Sequence, residues 1–302
     1  MPSLKEIKGR IGSVKSTLKI TSAMKLVASA KLRKAQQTIE GMRPYERKLQ
    51  EILSRVMEQC GPAASLSGVY ARKEVQNEDE MEVAPKQKVA MVAFASNSSL
   101  CGAFNANVVR LALDTLRSYE NADVTVYSVG RKMAESMKKV GKPSPEDYQK
   151  LADHPAYAPA AELAESLMEA YREGRLDRVD LVYNHFVSSG KQVPVRETLL
   201  PMGEIPSGVI PSEAKESDRE YILEPSAAEL LEDLLPKSLR LKFYTALLDS
   251  NASEHAARTV AMQTATDNGE DLLQELTLQY NKGRQQKITS EILDLAGGSQ
   301  EK

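Results

Sequence analysis

Several residues of this 302-residue chain have side chains able to do chemistry, but none stands in the spacing that chemistry requires. The turn from Ser96 to Cys101 lies between an apolar run and a helical pattern, where a nucleotide-binding fold would place a phosphate cradle. It contains neither GxxxxGK(S/T) nor GxGxxG, so it reads as a Ser/Asn-capped helix start. His154, His185 and His255 each lack a second ligand residue at metal spacing, which points to structural or surface roles. A thiol at a helix start has a lowered pKa and is reactive; Cys101 reads instead as a buried structural thiol. The pairs Glu232-Asp233 and Glu270-Asp271 fall on helical faces and solvate them. No nucleophile, base and orienting group can be assembled, and no cofactor or metal is implied. The basic run Lys31 to Lys34 lacks interleaved aromatics, so nucleic acid is not an expected partner.

The elements that would position any site are unusual. Residues 3 to 57 and 226 to 296 each read as one very long helix at either end of the chain. At 1.5 Å per residue they span roughly 80 and 100 Å, beyond the diameter of a small domain, so they project from it. Neither holds 18 consecutive apolar residues, which excludes a membrane span. From Ile7, alternate steps of 4 and 3 reach Ile11, Val14, Leu18, Thr21, Lys25, Ala28, Leu32, Ala35, Ile39, Met42, Glu46, Leu49, Leu53 and Val56. Twelve of these fifteen positions are apolar. A 3.5-residue repeat held this long predicts left-handed supercoiling against a partner helix. The C-terminal seam is patchier (Leu273, Leu276, Tyr280, then Ile288, Ile292, Leu295), with Ala and Thr between. The obvious partner for each terminal helix is the other, antiparallel.

Between them the pattern changes. Gly61-Pro62 is expected to end the first helix, Pro44 to bend it, and residues 61–87 to form a polar, acidic loop. Strands are expected at Lys88–Ala95, Val124–Gly130, Val179–Val187 and Val193–Pro201, the last two joined through the Ser188-Ser189-Gly190 turn. Helices fall at Ala103–Tyr119, Arg131–Val140 and Ala158–Gly174. This alternation makes 88–201 a central α/β, Rossmann-like domain. A linker, 202–225, leads to the C-terminal coiled-coil helix, 226–302, whose continuous rod is expected to begin near Pro236. The fold class is thus mixed α/β: a long antiparallel coiled coil plus a central α/β domain.

Composition agrees. Aromatics are 5% of residues, with no Trp and four Phe, and the net charge is −2. Residues 1 to 34 nonetheless carry nine Lys or Arg against the single acid Glu6, so that tip seeks an acidic partner. Two cysteines are too few for a disulfide framework. The start, MPSLKEIKGR, has no secretory or organellar targeting pattern, and a cytosolic, bacterial setting is expected.

Four stretches resemble one family: KITSAMKLVASAKLRKAQ (Lys19 to Gln36), SLCGAFNANV (Ser99 to Val108), NASEHAARTVAMQTATDNGEDLL (Asn251 to Leu273) and YNKGRQQKITSEILDLAGG (Tyr280 to Gly298). They are similar to the gamma subunits of F-type ATP synthases. The resemblance implies a non-catalytic rotating shaft whose coiled coil enters a ring of three alpha and three beta subunits. Its α/β domain would sit beside the epsilon subunit and the c-ring, meeting the membrane only through that ring, at the cytoplasmic face of the bacterial inner membrane. Proton transport through the c-ring would be coupled to ATP synthesis. The resemblance assigns ring contacts to Met24, Lys25, Arg258, Gln285, Thr289 and Glu291, and a c-ring or epsilon foot to Arg43, Tyr45, Glu46, Tyr221 and Glu224. Two departures stand out: Asn97-Ser98-Ser99 where the family often has Asp-(Arg/Lys)-Gly, and Thr259 where Met is common. The competing reading from the residues is a static coiled-coil adaptor whose α/β domain docks a partner.

Overall fold

The computed structural model describes residues 3–66, 70, 86–202, 223–224 and 226–298. The chain forms α1 (Leu4–Leu66), β1 (Lys88–Phe94), α2 (Phe104–Ser118), β2 (Asp123–Val129), α3 (Arg131–Lys139), α4 (Gln149–Asp153), α5 (Tyr157–Arg172), β3 (Arg178–Ser188), β4 (Lys191–Leu200) and α6 (Ala227–Gly298). It divides into two compact units, one of Met1–Ala30 with Arg258–Lys302 and one of Lys31–Ala257. Both long helices open on a Ser-x-x-Glu cap. Ser3 Oγ accepts the Glu6 N–H at 3.2 Å, and Ser226 Oγ the Glu229 N–H at 3.3 Å. Among the described residues no helix is long and apolar enough to cross a membrane.

In the larger unit the strands order as β2-β1-β3-β4, with β1 parallel to β2 and β3, and β4 antiparallel to β3. Both faces of β1 are covered, which is why its sequence is continuously apolar instead of alternating. Val89, Met91 and Ala93 face Val108 and Ala112 of α2 and Met133 and Met137 of α3. Ala90, Val92 and Phe94 face Ala164 and Leu167 of α5 and Phe243 and Leu247 of α6. Each such large side chain removed from water contributes about 2 to 3 kcal/mol. The α6 stretch 241–257 is therefore buried nearly all round, as a core helix must be. In the same unit the α1 seam packs Leu49, Leu53 and Val56 with Leu231 and Leu241, and Leu32 and Ala35 with Ala252 and Ala256.

A polar network pins the other sheet face. Asp180 on β3 is fully buried. It accepts from Arg178 Nε (2.9 Å), Arg196 Nε (2.9 Å), Thr198 Oγ1 (3.1 Å) and the Tyr119 hydroxyl at the end of α2 (2.5 Å). Burial first, then the bond to Asp180, pushes the Tyr119 phenol up to about 12.

In the smaller unit α1 and α6 run antiparallel. Leu18 lies against Gly269 and Leu4 against Gly283, and the Thr21 and Thr266 hydroxyls are 3.0 Å apart. Each step up one helix is matched by the same step down the other, and the Leu4-to-Leu18 step is two heptads. A Cβ on Gly269 would stand 2.7 Å from Leu18 Cδ2, so a larger residue here must push that side chain aside. None of the fifteen seam positions from Ile7 to Val56 is exposed.

Four expectations need correcting. The first helix does not stop at Gly61-Pro62 but runs on to Leu66. The second begins at Ala227 and passes through Pro236, held on both sides by the buried Leu231, Leu239 and Leu241. Tyr70, within the expected polar loop, is buried in the α/β core, and its carbonyl accepts the Met202 N–H at 2.8 Å. The rest of Gly68 to Pro85 lies outside the described residues. Finally, Ile288 and Ile292 keep seam spacing yet are exposed, because α1 begins at Leu4 opposite Gly283 and offers them no partner.

Candidate partner-binding site

The turn after β1 closes on itself. Ser96 N–H donates to Asn105 Oδ1 (3.1 Å), Ser96 Oγ to the Ser98 carbonyl (2.6 Å), and Asn105 Nδ2 to Cys101 Sγ (3.1 Å). With these side chains occupied, α2 starts at Ala103 without a side-chain cap, contrary to the Ser/Asn-capped expectation. Asn97 instead serves α3, its Oδ1 accepting the Arg131 N–H (2.9 Å), and donates through Nδ2 to the Gln149 carbonyl (2.8 Å). A carboxylate in its place could make only the first bond. Cys101 is buried against Phe104 and Ala257, as a structural thiol would be. His154 and His185 are exposed and His255 is buried. Among the described residues no three His, Cys, Asp or Glu side chains converge as metal ligands. Glu232, Asp233, Glu270 and Asp271 are all exposed, with Asp233 paired to Lys237.

The residues assigned to ring contact fall into two belts of the smaller unit. Met24 and Lys25 are half-buried on α1 and Arg258 is buried on α6. Gln285, Thr289 and Glu291 are exposed further along α6, with Glu291 3.6 Å from Lys287. The 27 residues from Arg258 to Gln285 make the belts roughly 40 Å apart along the helix. The second lies past Gly283, the level at which Leu4, the first residue of α1, meets α6.

Beside each belt stand large apolar residues that the sequence pattern either left unremarked or assigned to the seam. Ile20, Leu26 and Val27 are exposed on α1 near Met24, and Ile288, Ile292 and Leu293 on α6 near Thr289; Leu26 is 70% exposed. Exposed apolar residues clustered among cations mark a protein partner better than either alone. Ile20, Leu26 and Val27 sit off the 3.5-residue seam, and that was the signal available for them. Of the nine basic residues between Lys5 and Lys34, all but Lys25 are exposed.

The foot residues belong to the larger unit and do not share one orientation. Arg43, Tyr45 and Glu224 are exposed, whereas Glu46 is half-buried near Glu197 of β4; Tyr221 lies outside the described residues. Burial raises the Glu46 carboxyl above the usual range, Arg43 opposes this, and Glu197 adds to it. A raised folded-state value means its favourable contribution is full below the ordinary carboxylate pKa and lost as pH rises through the folded value. Glu46→Gln is thus expected to be more stable than the wild type by about 0.5 kcal/mol at about pH 7.5, an advantage that vanishes near pH 4. Thermal melts at both pH values check this; an advantage that grows on acidification would refute it.

A sequence profile of the ATP synthase family matches residues 3–300. The ATP synthase gamma chain of Phocaeicola vulgatus is 51% identical over 306 residues, covering 99% of each chain, and that of Bacteroides fragilis 52% identical over 309 residues with the same coverage. The chain belongs to the ATP synthase gamma chain family. Among solved structures, a chain of the Euglena gracilis mitochondrial ATP synthase (OSCP/F1/c-ring) matches with a TM-score of 0.61 at 23% identity, over 98% of this chain and 93% of that one. One from the Tetrahymena thermophila central stalk and c-ring gives 0.53 at 24%, over 82% and 99%. Those two likenesses speak to fold alone. Family membership favours a central-stalk subunit of a rotary ATP synthase over the static adaptor.

Proposed function

We propose that this chain is the rotating shaft of an F-type, proton-translocating ATP synthase and holds no catalytic site of its own. The alpha and beta subunits (three of each), epsilon and the c-ring are its partners, and it lies at the cytoplasmic face of the bacterial membrane, touching lipid only through the c-ring. Turning the shaft would carry each beta subunit in turn through its nucleotide-binding states. A partner shifts a conformational equilibrium only by as much as its interaction differs between states. The observation that carries the reading is the asymmetry of the smaller unit. Met24, Lys25 and the exposed Ile20, Leu26 and Val27 stand on one helix, while Gln285, Thr289 and Ile288 stand on the other, past its partner's end. No rotation of such a rod maps it onto itself, so each beta subunit meets a different surface at each angle.

The test is ATP hydrolysis by alpha and beta subunits of the same organism, reconstituted with and without the chain. The intact chain is expected to raise turnover. Deletion from Ile288 onward, Lys25→Glu and Arg258→Glu are each expected to lower it by about fivefold or more, the usual scale of coupling between sites. Because Arg258 is buried, melts of the free variants separate lost contact from lost folding. Turnover indifferent to the chain would sink the proposal.

A further inference from the structure

We propose that the end of β3 is the joint through which torque passes between the α/β domain and α6, with Asp249 and Ser253 as its positioning residues; this rests on the rotor reading above. Three consecutive β3 residues are each held. The Asn184 carbonyl accepts the Ser253 hydroxyl at 2.9 Å. His185 Nδ1 lies 2.5 Å from Asp249 Oδ2, and the Phe186 N–H donates to Asp249 Oδ1 at 2.9 Å. The Phe186 ring packs where Leu32 and Ala35 of α1 meet Ala252 and Ala256 of α6. Positions 249, 252, 253 and 256 fall on one helical face, so a single strip of α6 receives the whole strand end.

Apolar packing is non-directional and lets a helix roll against its neighbour. Hydrogen bonds weaken steeply once their angle is lost, so they resist rolling. Asp249 grips two adjacent strand residues with its two oxygens, and any turn of α6 about its axis must break both bonds. Keeping a carboxylate there has a cost: burial raises the Asp249 pKa, partly offset by the Phe186 N–H and by His185. The grip extends inward, since Asn184 Nδ2 donates to the Phe104 carbonyl at the start of α2 (3.2 Å). It extends outward through Asn251 to the Ala152 carbonyl (3.2 Å) and Lys242 to Glu197 (2.9 Å). Asn184 and Ser253 are buried, so neither needs a partner subunit to explain it.

The experiment immobilises the reconstituted alpha and beta ring, attaches a bead to the α/β domain of the full chain, and records its angular fluctuations during a pause. Asp249→Ala and Ser253→Ala are each expected to raise the angular variance about twofold, as a locally loosened joint would. Asp249→Asn keeps an acceptor for the Phe186 N–H and is expected to fall between them and the wild type. Met137→Ala, a core change on the α3 side of the sheet with no α6 residue in its cluster, is expected to lower the melting temperature yet leave the variance at the wild-type value. Unchanged variance in the Asp249→Ala and Ser253→Ala chains, or equal broadening by Met137→Ala, overturns the joint while leaving the rotor reading standing. A wild-type chain that does not turn in the ring overturns both.

Discussion

Replacing Gly130 with alanine is expected to destabilise the α/β domain by about 3 kcal/mol or more, by combining a strained backbone with a clash that cannot relax. Gly130 ends β2 and opens α3 at φ 101°, ψ 141°, a conformation side-chain-bearing residues rarely adopt. A Cβ there would lie 2.1 Å from the Ala95 carbonyl oxygen and 2.8 Å from its carbon. Those atoms are backbone, anchored by the Ala95 N–H to the Val129 carbonyl (2.8 Å) and by the Lys132 N–H to the Ser96 carbonyl (3.1 Å). The melting temperature should fall by roughly 6 to 12 °C for a unit of this size. A variant melting with the wild type would show that the β1 and β2 ends are not held as described.

The second large effect is at Asp180. Asp180→Ala is expected to cost about 3 kcal/mol, because it strands two guanidinium groups, a phenol and a hydroxyl that all point at the missing carboxylate. The cost stays at the lower end for a buried ion pair because Arg178 and Arg196 keep about 30% of their side chains in water. Asp180→Asn, which retains an acceptor without the charge, is expected to lose about half as much. Removing the carboxylate together with one of its two cations, as Asp180→Leu with Arg196→Met, should recover part of the stability lost in Asp180→Ala. Urea midpoints for the four chains decide it. If the double variant is weaker than Asp180→Ala, the loss comes from packing and the electrostatic account fails.

These sites differ in how far the sequence disclosed them. The first long helix was legible because its seam repeats from Ile7 to Val56, and strand β1 because a doubly covered strand is apolar throughout, whereas β2 showed through its apolar-polar alternation. The β3-β4 hairpin followed from Ser188-Ser189-Gly190. What escaped depends on pairing between residues far apart in sequence. Asp180 sits in VDLVYN as a lone acidic letter in a mostly apolar strand, and its partners Tyr119 and Arg196 are 61 and 16 residues away. The five-residue α4 is too short for any period to register. Pro236 misled because local propensity yields to packing along a long seam. For the partner surfaces, motifs supplied Met24 and Arg258, but exposure of Ile20, Leu26, Val27 and Leu293 became visible only once the seam partner was in place. Glu46 was grouped with Arg43 and Tyr45 by adjacency, whereas a step of about 100° around the helix separates the exposed Tyr45 from Glu46, which lies near Glu197.

Pairing Leu4 with Gly283 and Leu18 with Gly269 also orders events at the ribosome. The first helix to be synthesised has as its partner the last, about 250 residues downstream. At bacterial elongation rates its apolar stripe waits roughly 10 to 50 s for the strand of chain that will cover it. During that interval the nascent α1 is a competent match for any other heptad seam, including another copy of itself, so the half-made shaft is at its most aggregation-prone before its final turn has been translated.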